Sequence, residues 1–212
     1  MKFYASLSAR LVLALSVVVL SACSVLPASK TLTVYQLPVV TAQTSDASNV
    51  GAQHAASWAL RVDTPYSSQL INSQRILVQP PGDAISVYQG ARWSDVAPVM
   101  LRDHLVDAYR VQAPMLVVSS DSSRLLYDVE LTGDLTQFQV VYGDSGPVVH
   151  IQLDASMVQA DGKRTLASRR FTVQHAVDGT KVPEVVTAFG LAADALATQL
   201  IAWTLQHAPL KQ

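Results

Sequence analysis

Gly143-Asp144-Ser145-Gly146-Pro147 is the stretch of this chain that comes nearest to a nucleophile segment, a serine held in a glycine-bearing turn. Such a serine needs an imidazole base and a carboxylate that orients the base. His54 and Asp103 are the candidates. His54, however, stands in an aperiodic run of Ala, Ser, Thr, Gln and Asn, and the second glycine usual after the serine is replaced by Pro147. Glycine, Asp and Pro between two alternating segments are also what a hairpin turn requires, and that reading accounts for the whole pentapeptide. His104, His150, His175 and His207 show no close ligand spacing. Asp128 and Glu130 share one side of an alternating run, where a solvated sheet face explains them as well as a pair of acids would. The chain carries no glycine-rich phosphate loop, so nucleotide hydrolysis would belong to a partner. The expectation is a protein without catalytic residues, cofactor or metal, not an enzyme.

Cys23 is the only cysteine, so it has no disulfide partner within the chain. It follows Lys2 and Arg10, the apolar run Leu11–Leu20, and the small residues Ser21 and Ala22. A basic start, a short apolar core and small residues before a cleavage point make a secretory signal peptide. The run is too short to remain as a spanning helix, which takes roughly 20 apolar residues. Leu20-Ser21-Ala22-Cys23 resembles the lipobox of bacterial lipoproteins. That resemblance implies cleavage before Cys23, acylation of its thiol, and a mature chain outside the cytoplasm. Ser24, where a retention-directing Asp is absent, implies transfer to the outer membrane by the same resemblance. The expected boundaries are 1–22 for the signal peptide, 23–30 for the acylated cysteine and tether, and 31–212 for one folded domain.

Half of the 212 residues are hydrophobic, 15% are charged, and the formal net charge is −1. A mature chain of this length can bury a sizeable core. Without a basic excess, the overall charge makes no electrostatic case for nucleic acid or for an anionic membrane surface. So few charges suggest apolar surface covered by a partner.

The alternation of apolar and polar residues predicts strands at 31–37, 58–62, 75–79, 84–88 and 115–119, then a meander over 125–131, 135–142, 149–157 and 166–174. Gly133 suggests a bulge or kink, and Asp161-Gly162 a hairpin turn. A first helix is expected from Ser94 or Asp95, with Leu101, Leu105, Ala108 and Tyr109 on one face and Pro114 beyond its end. The second runs from about Pro183 to Gln206. Val182, Val186, Phe189, Ala193, Leu196, Leu200 and Trp203 form its apolar stripe. Ala188, Ala192, Ala195 and Ala202 form a second, small-residue face, to be covered by loops or by another subunit. These elements define an α/β fold: a single domain with a mixed, mostly antiparallel sheet packed on two main helices, one of them C-terminal.

Tyr88-Gln89-Gly90-Ala91-Arg92-Trp93, followed by Asp95, Pro98 and an amphipathic helix, resembles the signature of the ABC-type transport auxiliary lipoproteins. Tyr35-Gln36-Leu37, Trp58 to Pro65, Arg75-Ile76 and Trp203 support it in order, over nearly the whole mature chain; Ser94 departs from the commoner Ala. The resemblance implies a mixed sheet flanked by helices and a place beside an MCE-domain protein and an inner-membrane ABC transporter that move lipids or other apolar molecules across the envelope. On this reading the chain is a periplasmic scaffold held at the outer membrane. A lipid- or ligand-binding carrier with its own apolar pocket is the alternative, and a homo-oligomer is a further possibility. Arg92 and Trp93 carry two readings. Either Trp93 packs the strand-to-helix junction while Arg92 pairs with an acid, or both contact the transporter partner, where Trp and Arg are favoured anchors.

Overall fold

Strict alternation over three successive segments builds the centre of the fold. In the computed structural model, which describes residues 31–38 and 58–207, these segments are β7 (Val129–Gly143), β8 (Gly146–Gln159) and β9 (Thr165–Ala176). Val149, Ile151, Leu153, Ala155 and Met157 of β8 are all buried, and His150, Gln152, Asp154 and Ser156 turn to the other face. Before the meander come β1 (Thr33–Tyr35), β2 (Ala59–Val62), β3 (Tyr66–Ser67), β4 (Arg75–Gln79), β5 (Ser86–Trp93), helix α1 (Ala97–Gln112) and β6 (Val117–Ser120). Helix α2 (Val182–Gln206) closes the chain.

The sheet branches. One edge of β7 is paired along its length with β8, and β8 with β9, both antiparallel. The other edge receives three parallel strands in turn. Leu60 of β2 stands beside Val129, Tyr66 of β3 beside Asp134, and Val78 of β4 beside Val140. Beyond β2 lies β6; beyond β4 lie β5 and then β1. The two branches leave β7 eleven residues apart in register, about 35 Å at ~3.3 Å per residue.

Both helices cover one face. Trp93, Phe138 and Phe189 interlock between sheet and α2, with ring centroids 5.2 Å apart for Trp93–Phe189 and 4.7 Å for Phe138–Phe189. Farther along, Trp203 meets Phe171 edge-on at 5.4 Å. Helix α2 is apolar enough to cross a bilayer, yet 61% of its most apolar window is buried inside the domain. A helix apolar on most sides belongs in a core. Its stripe packs on β8 and β9, and α1 lies against it. Tyr109 Oη and Thr204 Oγ1 lie 2.6 Å apart across the helix pair. Ala188 and Ala192 of the small-residue face are buried by the chain itself, while Ala195 and Ala202 are exposed. At Gly190 the crossing chain comes so close that a Cβ would sit 2.9 Å from the Pro38 carbonyl oxygen. The covering of that face therefore comes from within the chain over Ala188–Ala192, and the argument for a second subunit built on those alanines falls away.

Four local expectations are corrected. β5 continues past Tyr88 to Trp93, because Ala91, Arg92 and Trp93 are paired with Thr33, Val34 and Tyr35 of β1. Residues 125–127 are not strand but part of a strap from β6 to β7 that crosses β2. The bulge lies at Thr136, where the register shifts between Leu135 and Gln137. Gly133 instead marks a close approach, since a Cβ there would lie 2.1 Å from the Asp154 carbonyl oxygen. Helix α1 begins one residue later than expected, with Val96 as its cap residue and the Asp95 carboxylate accepting the Val96 N–H at 2.7 Å.

Candidate functional site

Alternation separates the two residues of the Arg-Trp pair. Trp93 points to the helix-covered face and is fully buried, its ring against Phe138 and Phe189. It presents no accessible surface on the domain. Arg92 points to the helix-free face and is exposed. No acid pairs with it; its Nη1 donates to Gln74 Oε1 at 3.3 Å. Directly opposite on β4 stands Arg75, also exposed. Among the described residues neither guanidinium has a carboxylate partner. On the other side of Arg92 the register places Val34 of β1, 49% exposed, with Leu32 two residues before it, 48% exposed. Two cations and two aliphatic side chains thus share one patch of the helix-free face. Sequence reasoning flagged Arg92 but missed Arg75 and Leu32, because the pairing of β1, β5 and β4 brings them together and no spacing along the chain records it.

The other branch carries a different surface. Arg61 on β2 is held by Asp63 (Nε–Oδ1 2.6 Å) and Glu130 (Nη2–Oε2 2.9 Å) and stacks on the Tyr127 ring at 3.9 Å. Burial, with Asp63 next to it, raises the Glu130 carboxyl above its ordinary value. Arg102 of α1 bonds Asp121 and Thr64, fixing the start of the strap. Asp128, read from sequence as sharing a strand face with Glu130, precedes β7 and accepts the Ala59 N–H at 2.7 Å. Both acids are thus engaged in holding the strap over β2. What the strap presents is Leu125 and Leu126, the latter 94% exposed, and Val117 of the edge strand β6, next to Ala59, is also exposed.

Ser145 lies in a two-residue turn between the paired Gly143 and Gly146, and Gly146 adopts φ +101°. Its proposed companion Asp103 accepts from Arg102 on α1, and His54 lies outside the described residues, as does Cys23. His104 is buried between the helices, its Nε2 2.8 Å from Asp194 Oδ1. Burial holds its pKa below the ordinary histidine value, although Asp194 and Asp107 pull the other way. Among the described residues no three or more His, Cys, Asp or Glu side chains gather into a metal site. A shallow groove of about 500 Å³ crosses the helix-free face, lined by Tyr66, Thr132, Asp134, Asp154, Ser168 and Arg170. It is open and includes charged and hydroxyl side chains, whereas the space between sheet and helices is filled by aromatic and aliphatic side chains.

The architecture is a branched mixed sheet under two helices. The chain belongs to the family of ABC-type transport auxiliary lipoprotein components, whose model matches residues 35–201. It is similar to the solved structure of protein XCC0632 from Xanthomonas campestris, of the family DUF330: TM-score 0.70 and 31% identity over 82% of this chain and 96% of that one. A second solved structure, of an uncharacterized protein, shares the fold with a TM-score of 0.64 at 17% identity, over 82% of this chain and 98% of that one. A curated relative, the uncharacterized protein bll6063 of Bradyrhizobium diazoefficiens, is 28% identical over 74% of this chain. The chain spans 42% of that relative's length. The matched residues include the Tyr88–Trp93 signature read in the sequence, and the family is one of transport auxiliary lipoproteins, not a known family of enzymes.

Proposed function

We propose that this chain is the outer-membrane lipoprotein of an MCE/ABC-type envelope system that moves lipids or other apolar molecules between membranes, and that it acts as a periplasmic scaffold. Cys23 carries the acyl chains and Ser24 directs the protein to the outer membrane. The observation that favours a scaffold over a lipid carrier is the filled interior: Trp93, Phe138 and Phe189 occupy the space between sheet and helices where a cargo cavity would have to lie. The partner-facing features are the exposed Leu125, Leu126 and Val117, on the branch away from β1, where the chain enters the domain. A chain that is fastened at one branch and apolar at the other suits a bridge between a membrane and a periplasmic assembly.

Isolation of the intact protein from detergent-solubilised envelopes, with identification of what accompanies it, tests the reading. An MCE-domain protein and ABC transporter subunits should copurify, and Leu126→Asp should deplete them at least tenfold while the protein stays folded. Recovery of the lipoprotein without either component sinks the proposal. Cys23→Ala should abolish labelling by a fatty-acid analogue; a variant that still labels removes the anchor from the argument.

A further inference from the structure

We propose that the patch formed by Leu32, Val34, Arg75 and Arg92 docks the domain onto the anionic headgroups of the bilayer that holds Cys23; this rests on the acylation of Cys23 proposed above. The first argument is charge. Arg75 and Arg92 stand directly opposite each other across the β4–β5 ladder, and like charges so placed destabilise a sheet. No carboxylate among the described residues relieves them, although acids elsewhere in the chain are paired with arginines at 2.6–3.1 Å. An external phosphate between the two guanidiniums removes the repulsion, and guanidinium is suited to phosphate by its geometry. The second argument is the company these arginines keep. Val34, in the adjoining strand beside Arg92, and Leu32, just before that strand, are both half exposed. Cations next to protruding aliphatic side chains match the boundary between headgroups and acyl chains. An acidic protein segment would use the arginines and leave Leu32 and Val34 in water.

The third argument is the length of chain in front of the patch. Nine residues separate Cys23 from Leu32, a reach of at most about 30 Å. The patch therefore stays within that distance of the anchor. A contact too weak to recruit a free protein is well populated when the tether raises its effective concentration.

The test uses the full acylated lipoprotein, reconstituted in phosphatidylcholine vesicles with and without 30% phosphatidylglycerol by design, about the anionic content needed for a strong surface potential. A cysteine introduced by Val34→Cys becomes the one free thiol beside the acylated Cys23, and it takes an environment-sensitive fluorophore. A control carries the label through Val117→Cys. Headgroup-spin-labelled lipid should quench the label at position 34 in anionic vesicles, and the quenching should fall by more than half with Arg75→Glu plus Arg92→Glu or in half-molar salt. The label at position 117 should stay unquenched. Protein that floats with the vesicles while position 34 remains unquenched overturns the docking surface alone, and so does equal quenching at both positions. Protein that fails to float overturns the anchor together with the patch.

Discussion

His104 is where solution pH reaches the core. Its imidazole is buried between α1 and α2, and burial lowers its pKa despite Asp194 at 2.8 Å and the field of Asp107. The folded state therefore takes up this proton less readily than the unfolded chain, whose histidine titrates near 6.5. The sign follows: the stability is complete above about pH 6.5 and declines as the pH falls from there towards the lower, folded value. Urea midpoints measured between pH 8 and 5 should fall on the acid side, and His104→Gln should flatten part of that fall. An identical pH slope in the variant would assign the effect to other groups. Gly133 makes a sharper prediction. A methyl group there meets the Asp154 carbonyl oxygen, a backbone atom fixed in the β7–β8 ladder. Gly133→Ala should cost about 2 kcal/mol or more, read from equilibrium unfolding. A cost under about 0.5 kcal/mol would mean that the ladder opens there at little expense.

At the scale of elements, α2 separates positions that look equivalent in a helical projection. Ala192 is fully buried and Ala195 is exposed. Ala192→Glu should destabilise the domain by about 3 kcal/mol or more, since the carboxylate has no room and no partner in the core. Ala195→Glu should be nearly silent, and Leu196→Asp should behave like the Ala192 variant. Thermal unfolding of the three separates them, and similar midpoints for the two alanine variants would contradict the burial described here. The stripe that places α2 was legible because a period of 3.6 residues is written along one segment. The meander was legible for the same reason, with Ile151, Leu153, Ala155 and Met157 at a period of two. What could not be read is set by pairing across the chain. Tyr88–Trp93 looked like the end of a strand because its partner, β1, lies more than fifty residues upstream. Leu125, Tyr127, Val129 and Leu131 alternate without a break, yet only the last two enter β7, because Arg61 and Glu130 hold Tyr127 in the strap. The candidate patch was legible to one residue, Arg92. Arg75 joined it through the register of β4, and Trp93 left it because a strand residue next to an outward Arg must point inward.

For the whole molecule, the proposals above assign attachment to the β1 branch and partner contact to the β6 branch, at opposite ends of the β7 edge that joins them. The order of pairing along β7 also has a bearing on how the protein comes to be folded. β2, β3 and β4 are made before β7, but none of them pairs with another of the three; each takes its place at its own station on the later strand. The long-range closures Leu60–Val129 and Val78–Val140 are slow to form, whereas the β7–β8–β9 meander needs only short turns. As the chain emerges from its N-terminus, β4–β5–β1 and β2–β6 can pair among themselves, but nothing joins these two branches to each other until residues beyond Val129 arrive. The meander is the nucleus and the earlier strands are latecomers. Pulsed hydrogen exchange during refolding should protect the amides of β7, β8 and β9 before those of β2 and β4. Simultaneous protection of both sets would show that the branches assemble without a template. A domain whose two branches are joined only by a strand in its later half cannot close until that strand is made, which leaves a window in which the polypeptide can be threaded across a membrane before it folds.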